Sequence, residues 1–209
     1  MVSCQSRRDV RERTLANLAL VGVHPLVIES PCSPPSQHEN RRVSLEALTA
    51  ADGDDVLFLE DDVLALPTFP AFLAKAEAEG VVAVFCNMNN VWLDVRTQSE
   101  LHQQSLVRPR LEQAKTTHRW WGTQAVYLPR DVVPLLLAFE PRRLRAFDTL
   151  ASETFTTHQI PMFFALPNPI QHAAPPSVVP GKAPPKRSTS AHKRPDRPMR
   201  YVTLDRRDA

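Results

Sequence analysis

At 209 residues, 43% hydrophobic and with a formal charge of +2, the chain has the size and balance of one globular domain rather than of a disordered polyelectrolyte or a fibre. It shows neither the roughly 20-residue apolar run that spans a bilayer nor the short apolar core of a secretory signal, so a cytoplasmic location is expected. Cys4, Cys32 and Cys86 follow no zinc or redox spacing and read as reduced thiols.

In chain order, Met1-Val2-Ser3-Cys4 reads as a short first strand, and the apolar positions Leu15, Leu18 and Leu20 predict a helix from Asp9 to Val21, stopped by Gly22. His24 to Glu29 reads as a second strand, residues 30–36 (SPCSPPS) as a proline-stiffened loop, and Arg41 to Ala51 as a second helix. Then come a strand at Val56–Leu59, a helix at Phe69–Glu79 and a strand at Val81–Cys86. Strands alternating with helices predict an α/β fold with a mostly parallel sheet and right-handed crossovers. Asn87 to Arg119, polar with scattered apolar residues, reads as a long excursion around a site. After WWGTQAVYLP (120–129), helices are expected near Arg130–Phe139 and Phe147–His158, and a last strand in PMFFAL (161–166). NPIQH, residues 168–172, closes a body spanning 1–175.

Residues 176–209 form a proline-rich tail that cannot bury enough apolar surface to fold alone. From residue 181 onward, nine lysines and arginines against three aspartates give it +6, leaving −4 on the rest of the chain. Such a tail is either a solvated extension or an attachment to an anionic partner, nucleic acid or a phospholipid surface.

One stretch poses a physical problem. Val56-Leu57-Phe58-Leu59 suits a strand covered on both faces, yet it runs straight into Glu60-Asp61-Asp62. Adjacent carboxylates at a strand end are costly unless water, a basic partner or a metal cation neutralises them. In open α/β sheets ligands gather beyond the carboxyl ends of the strands, and hard oxygen ligands there suit Mg²⁺ or Mn²⁺ with substrate phosphates. A solvated turn before the next helix is the plainer alternative.

The opening through HPLVIE, the helix RRVSLEAL, VLFLEDDV, GTQAVYLP, and FDTLASETF with IPMFFALPNPIQH follow one another in an order that resembles GT-A-fold glycosyltransferases, especially the bacterial lipopolysaccharide type. The resemblance spans most of residues 1–172 and rests on the order of the segments, no one of which is diagnostic. It implies a GT-A-like, Rossmann-like fold and a metal-dependent transfer of a sugar from a nucleotide-sugar donor to a hydroxyl, with inversion. Carried over, Asp62 would bind Mn²⁺ (or Mg²⁺), Glu60 or Asp61 would contact ribose or the donor sugar, and His172 would return to the metal. Asp148, or in reserve Glu153, would take the acceptor's proton. Gly122 and Thr123, preceded by Trp120 and Trp121, would approach the sugar; Arg41 and Arg42 would meet the diphosphate, with a weaker claim for Arg7 and Arg8. The acceptor is expected to be a glycan or, given the basic tail, a hydroxylated base in DNA. A non-catalytic GT-A-like binding module is the remaining alternative. The opening strand and the glycine-rich approach to the donor are both thinner than the family's, with five glycines in the chain.

Overall fold

The computed structural model describes residues 1–31, 37–85, 110–114, 124–140, 146–166 and 168–172. Its first strand, β1 (Val2–Cys4), is short but fully buried, and a 3-10 turn (Gln5–Arg7) leads it into α1 (Arg8–Leu20). α1 ends where glycine permits: Gly22, at φ 76°, takes the left-handed conformation and donates to the Ala19 carbonyl. β2 (Ile28–Ser30) pairs in parallel with β1, Val2 opposite Ile28. The second strand is therefore shorter and later than His24–Glu29; Pro25 at its expected start has no N–H for a ladder.

α2 (Gln37–Thr49) begins four residues before Arg41, with Glu39 in the first turn, where a carboxylate meets the exposed N–H groups. β3 (Val56–Leu59) and α3 (Phe69–Glu79) keep their expected bounds. Between them lies β4 (Val63–Ala65), a strand too short to show in the sequence pattern. β5 (Val82–Val84), β6 (Arg110–Gln113), β7 (Ala125–Leu128), α4 (Val133–Ala138), α5 (Phe147–Thr157), β8 (Met162–Leu166) and β9 (Ile170–His172) complete the described elements.

The protein is a mixed α/β structure whose sheets are small and combine parallel and antiparallel pairs. The central sheet has the order β3-β7-β5-β8-β6. Within it β5 and β8 are parallel, whereas β7 opposes both β3 and β5, and β6 opposes β8. This corrects the expected mostly parallel sheet. A strand buried on both faces, as β7 is, shows the same continuous apolar run whichever way it points, so its sense could not be read from residues alone. A parallel bridge between Val2 and Glu60 joins β1 to the end of β3. β4 and β9 form a separate antiparallel pair, Val63 opposite His172.

Helices cover both faces. Phe58, Val126 and Phe164 pack with Val43 and Leu48 of α2, Leu136 of α4 and Phe147 and Phe155 of α5. On the other face Leu59, Ala125 and Tyr127 pack with Leu18 of α1 and Phe69 and Phe72 of α3. Alternation along β3 thus sends Phe58 to one layer and Leu59 to the other, as period-two geometry requires.

From β1 the chain crosses to β2 on one side, then returns past β1 to β3 on the other. The strand order therefore reverses between β1 and β3, and their carboxyl ends border the crevice where ligands of open α/β sheets sit.

Candidate functional site

The acid motif lies at that reversal of strand order. Glu60, half-buried, extends the β3 ladder by one residue, its N–H donating to the Gln124 carbonyl at 2.9 Å. The next two acids are inside the protein: Asp61 is 3% exposed and Asp62 4%. Buried carboxylates need a compensating charge or hydrogen bonds, and here a guanidinium supplies both. From the 3-10 turn after β1, Arg7 places Nη1 2.7 Å from Asp61 Oδ1 and Nη2 2.7 Å from Asp62 Oδ2. Ser3 Oγ donates to the other oxygen of Asp61 at 2.7 Å. Arg7 is thus a basic partner of the kind these acids need.

α1 clamps the same turn from outside. Thr14 Oγ1 donates to the Asp61 carbonyl at 2.8 Å, and the Asn17 side chain both donates to the Ala65 carbonyl (3.2 Å) and accepts from its N–H (2.5 Å). The amide of Asn17 acts as one rung of a strand on β4. Thr14 and Asn17 stand three residues apart and so share a helix face. Polar residues set beside Leu15 and Leu18 are the signal by which the sequence could have revealed this docking.

Charge at the site follows from burial. Removal from water pushes the Asp61 carboxyl above its ordinary value, an effect that Arg7 and Ser3 oppose and the Asp62 charge reinforces. For Arg7, burial works against the charge but is outweighed by Asp62 and Asp61, and the guanidinium is held above its ordinary value.

Among the other expected residues, the β4–β9 register brings the His172 backbone opposite Val63, one residue beyond Asp62. Arg41 is half-buried on α2, and its Nη1 is buried without a hydrogen-bond partner among the described residues. Arg42 instead lies on the exposed side of α2, in ion pairs with Glu39 and Glu46 that raise it further above its ordinary value. Asp148 is in the first turn of α5, with Oδ1 accepting from the Thr149 N–H at 2.7 Å. The N-cap position is Ala146, in extended geometry, and Asp148, two residues on, satisfies an N–H of the first turn. Glu153 is half-buried further along α5. Phe147 and Phe58 rings stack with centroids 4.8 Å apart, which fixes the start of α5 against β3 just before the acids. Trp120, Trp121, Gly122, Thr123 and the basic tail lie outside the described residues.

The chain matches no protein-family model and no curated protein. Among the described residues no three His, Cys, Asp or Glu side chains gather to hold a metal ion. Arg7 takes an oxygen from each buried aspartate, so the pair as arranged does not fit Mn²⁺ or Mg²⁺. A hollow of about 310 Å³ lined by Asn17, Leu64, Ala65, Leu66, Pro67 and Gln171 lies along β4 and carries no titratable side chain. The acid motif and Arg7 lie instead where β1 meets the end of β3.

Proposed function

We propose that the chain is a glycosyltransferase of the GT-A type, moving a sugar from a nucleotide-sugar donor to a hydroxyl acceptor. The observation that carries this reading is the acid motif's position at the reversal of strand order, with the base of α5 locked beside it. A donor lying along that edge would meet the half-buried side chain of Glu60, whose oxygens accept from ribose or sugar hydroxyls, while Asp61, buried on Arg7 and Ser3, would hold the turn in place. Arg41 would offer an unsatisfied N–H donor to a phosphate oxygen. Asp148 fits a general base: as the acceptor oxygen attacks the anomeric carbon, the carboxylate takes its proton while the diphosphate departs. Glu153 is the second candidate for that role.

The test is a screen of nucleotide sugars by thermal shift, followed by detection of released nucleoside diphosphate. A donor at about 100 times its Kd should stabilise the fold by about 2.7 kcal/mol. Should no nucleotide sugar stabilise the chain or be consumed by it, the reading fails. The +6 of the tail favours a second form of it, in which the acceptor is a hydroxylated base in DNA. Duplex binding that weakens steeply with salt, and is lost on deleting residues 176–209, would select that form.

A further inference from the structure

The acid motif and its arginine raise a question that stands apart from which donor is used. We infer that Arg7 is a resident cation that takes the place of a divalent metal at Asp61 and Asp62, so that the motif does not bind Mn²⁺ or Mg²⁺. The fork spans both acids, with one nitrogen to each at 2.7 Å, so a single guanidinium bridges two carboxylates through charge-assisted hydrogen bonds. Both oxygens of Asp61 are engaged: Arg7 holds one and Ser3 Oγ the other, and Thr14 fixes its carbonyl. A metal would have to break those contacts to gain the same ligand.

Space and tethering point the same way. The aspartate side chains are 4% and 5% exposed and that of Arg7 15%, whereas Mg²⁺ retains several waters when it binds protein carboxylates. Arg7 is also covalently held. It lies in the 3-10 turn three residues beyond the end of β1, and β1 is itself bridged to Glu60. A tethered cation competes at high effective concentration against a free ion that must first displace it. Lysine could not replace it, because one ammonium does not fork across two carboxylates.

The experiment needs only the full chain and Mn²⁺, whose free-ion electron paramagnetic resonance signal disappears on binding. Wild-type protein should leave the signal intact, and Arg7→Met should remove it up to one ion per chain and gain thermal stability from Mn²⁺. Should Arg7→Met fail to fold, Arg7→Lys takes its place and should bind Mn²⁺ more tightly than wild type. Wild-type binding that Asp62→Asn abolishes overturns the inference, as does a folded Arg7→Met, or in its stead Arg7→Lys, that gains no Mn²⁺ affinity. Wild-type binding that survives Asp62→Asn is elsewhere on the chain and agrees with it. None of these outcomes depends on a nucleotide sugar, so the inference and the proposed transfer reaction fail separately.

Discussion

Asp55 ties the start of β3 to the end of β7 by accepting from the Tyr127 hydroxyl at 2.6 Å and from the Arg130 N–H at 2.8 Å. Those two bonds, the tyrosine's first, hold the Asp55 carboxyl below its ordinary value. Burial, with Asp55 adding, pushes the Tyr127 hydroxyl well above its own. A carboxyl lowered by folding contributes stability that is present above its unfolded value, about 3.9, and is lost as the pH falls through the lowered one. Asp55 is exposed, so solvent keeps the contribution small. Tyr127→Phe should therefore cost about 1 kcal/mol at pH near 7 and less under acid conditions, measured by urea unfolding at both. An equal cost at the two pH values would remove Asp55 from the account. Asp61 has the opposite sign: its raised carboxyl contributes stability that is present below the unfolded value and lost as the pH rises through the raised one. Asp61→Asn should flatten that loss with rising pH, measured by urea unfolding across the same range, since the amide bears no charge to desolvate. None of these partnerships was readable beforehand. Asp55 and Tyr127 are 72 positions apart, and Arg7 and Asp62 are 55; only the strand order brings them together.

Elements with their own punctuation were the legible ones. α3 has a proline at its start and Gly80, at φ 60°, as a left-handed cap, and its bounds agree with the sequence pattern. A Cβ on Gly80 would meet nothing within 4 Å, so Gly80→Ala should cost about 1 kcal/mol through backbone conformation alone. A loss above about 3 kcal/mol in chemical denaturation would point to a clash that the geometry does not contain. The sequence pattern starts α2 too late because Gln37-His38-Glu39-Asn40 offers no apolar face; its opening depends on polar contacts such as Ser30 Oγ to Glu39. β4 and β9, three residues each, are too short for a period to emerge. α5 was visible through its apolar stripe, and Phe147 is the residue that seats it. Phe147→Ala should cost about 3–5 kcal/mol, the range for an aromatic removed from a packed core. A loss below about 1 kcal/mol in denaturant midpoint would mean that α5 is not anchored through Phe58.

Across the whole molecule, the α/β layering was legible in the alternation of helical and strand patterns, while strand sense and the joins between sheets were not. The position of Glu60-Asp61-Asp62 at a strand's carboxyl end was readable from VLFLEDD; its counter-ion was not, because Arg7 enters from a different strand. The joins have a dynamic consequence. Along the backbone, the β1–α1–β2 unit meets β3 through the Val2–Glu60 bridge, whereas β3 and β7 share four paired positions, Val56–Leu128 to Leu59–Ala125. Ser3, Arg7, Thr14 and Asn17 supplement that bridge with side-chain contacts to Asp61, Asp62 and Ala65. Stability is distributed unevenly in such a structure, and units joined by few backbone bonds open at lower free energy than a central sheet. In native-state hydrogen exchange, the Ile28 amide, which donates to the Met1 carbonyl, should exchange well before those of Val84 and Val126, which lie in the central β5–β7 pair. Arg7→Met should widen that gap by accelerating β1 and β2 while leaving β5, β7 and β8 unchanged, because among the described residues the guanidinium pairs with Asp61 and Asp62 of the acid turn. If the variant accelerates every strand equally, the N-terminal unit opens only with the whole domain, and the crevice between β1 and β3 is as rigid as the core.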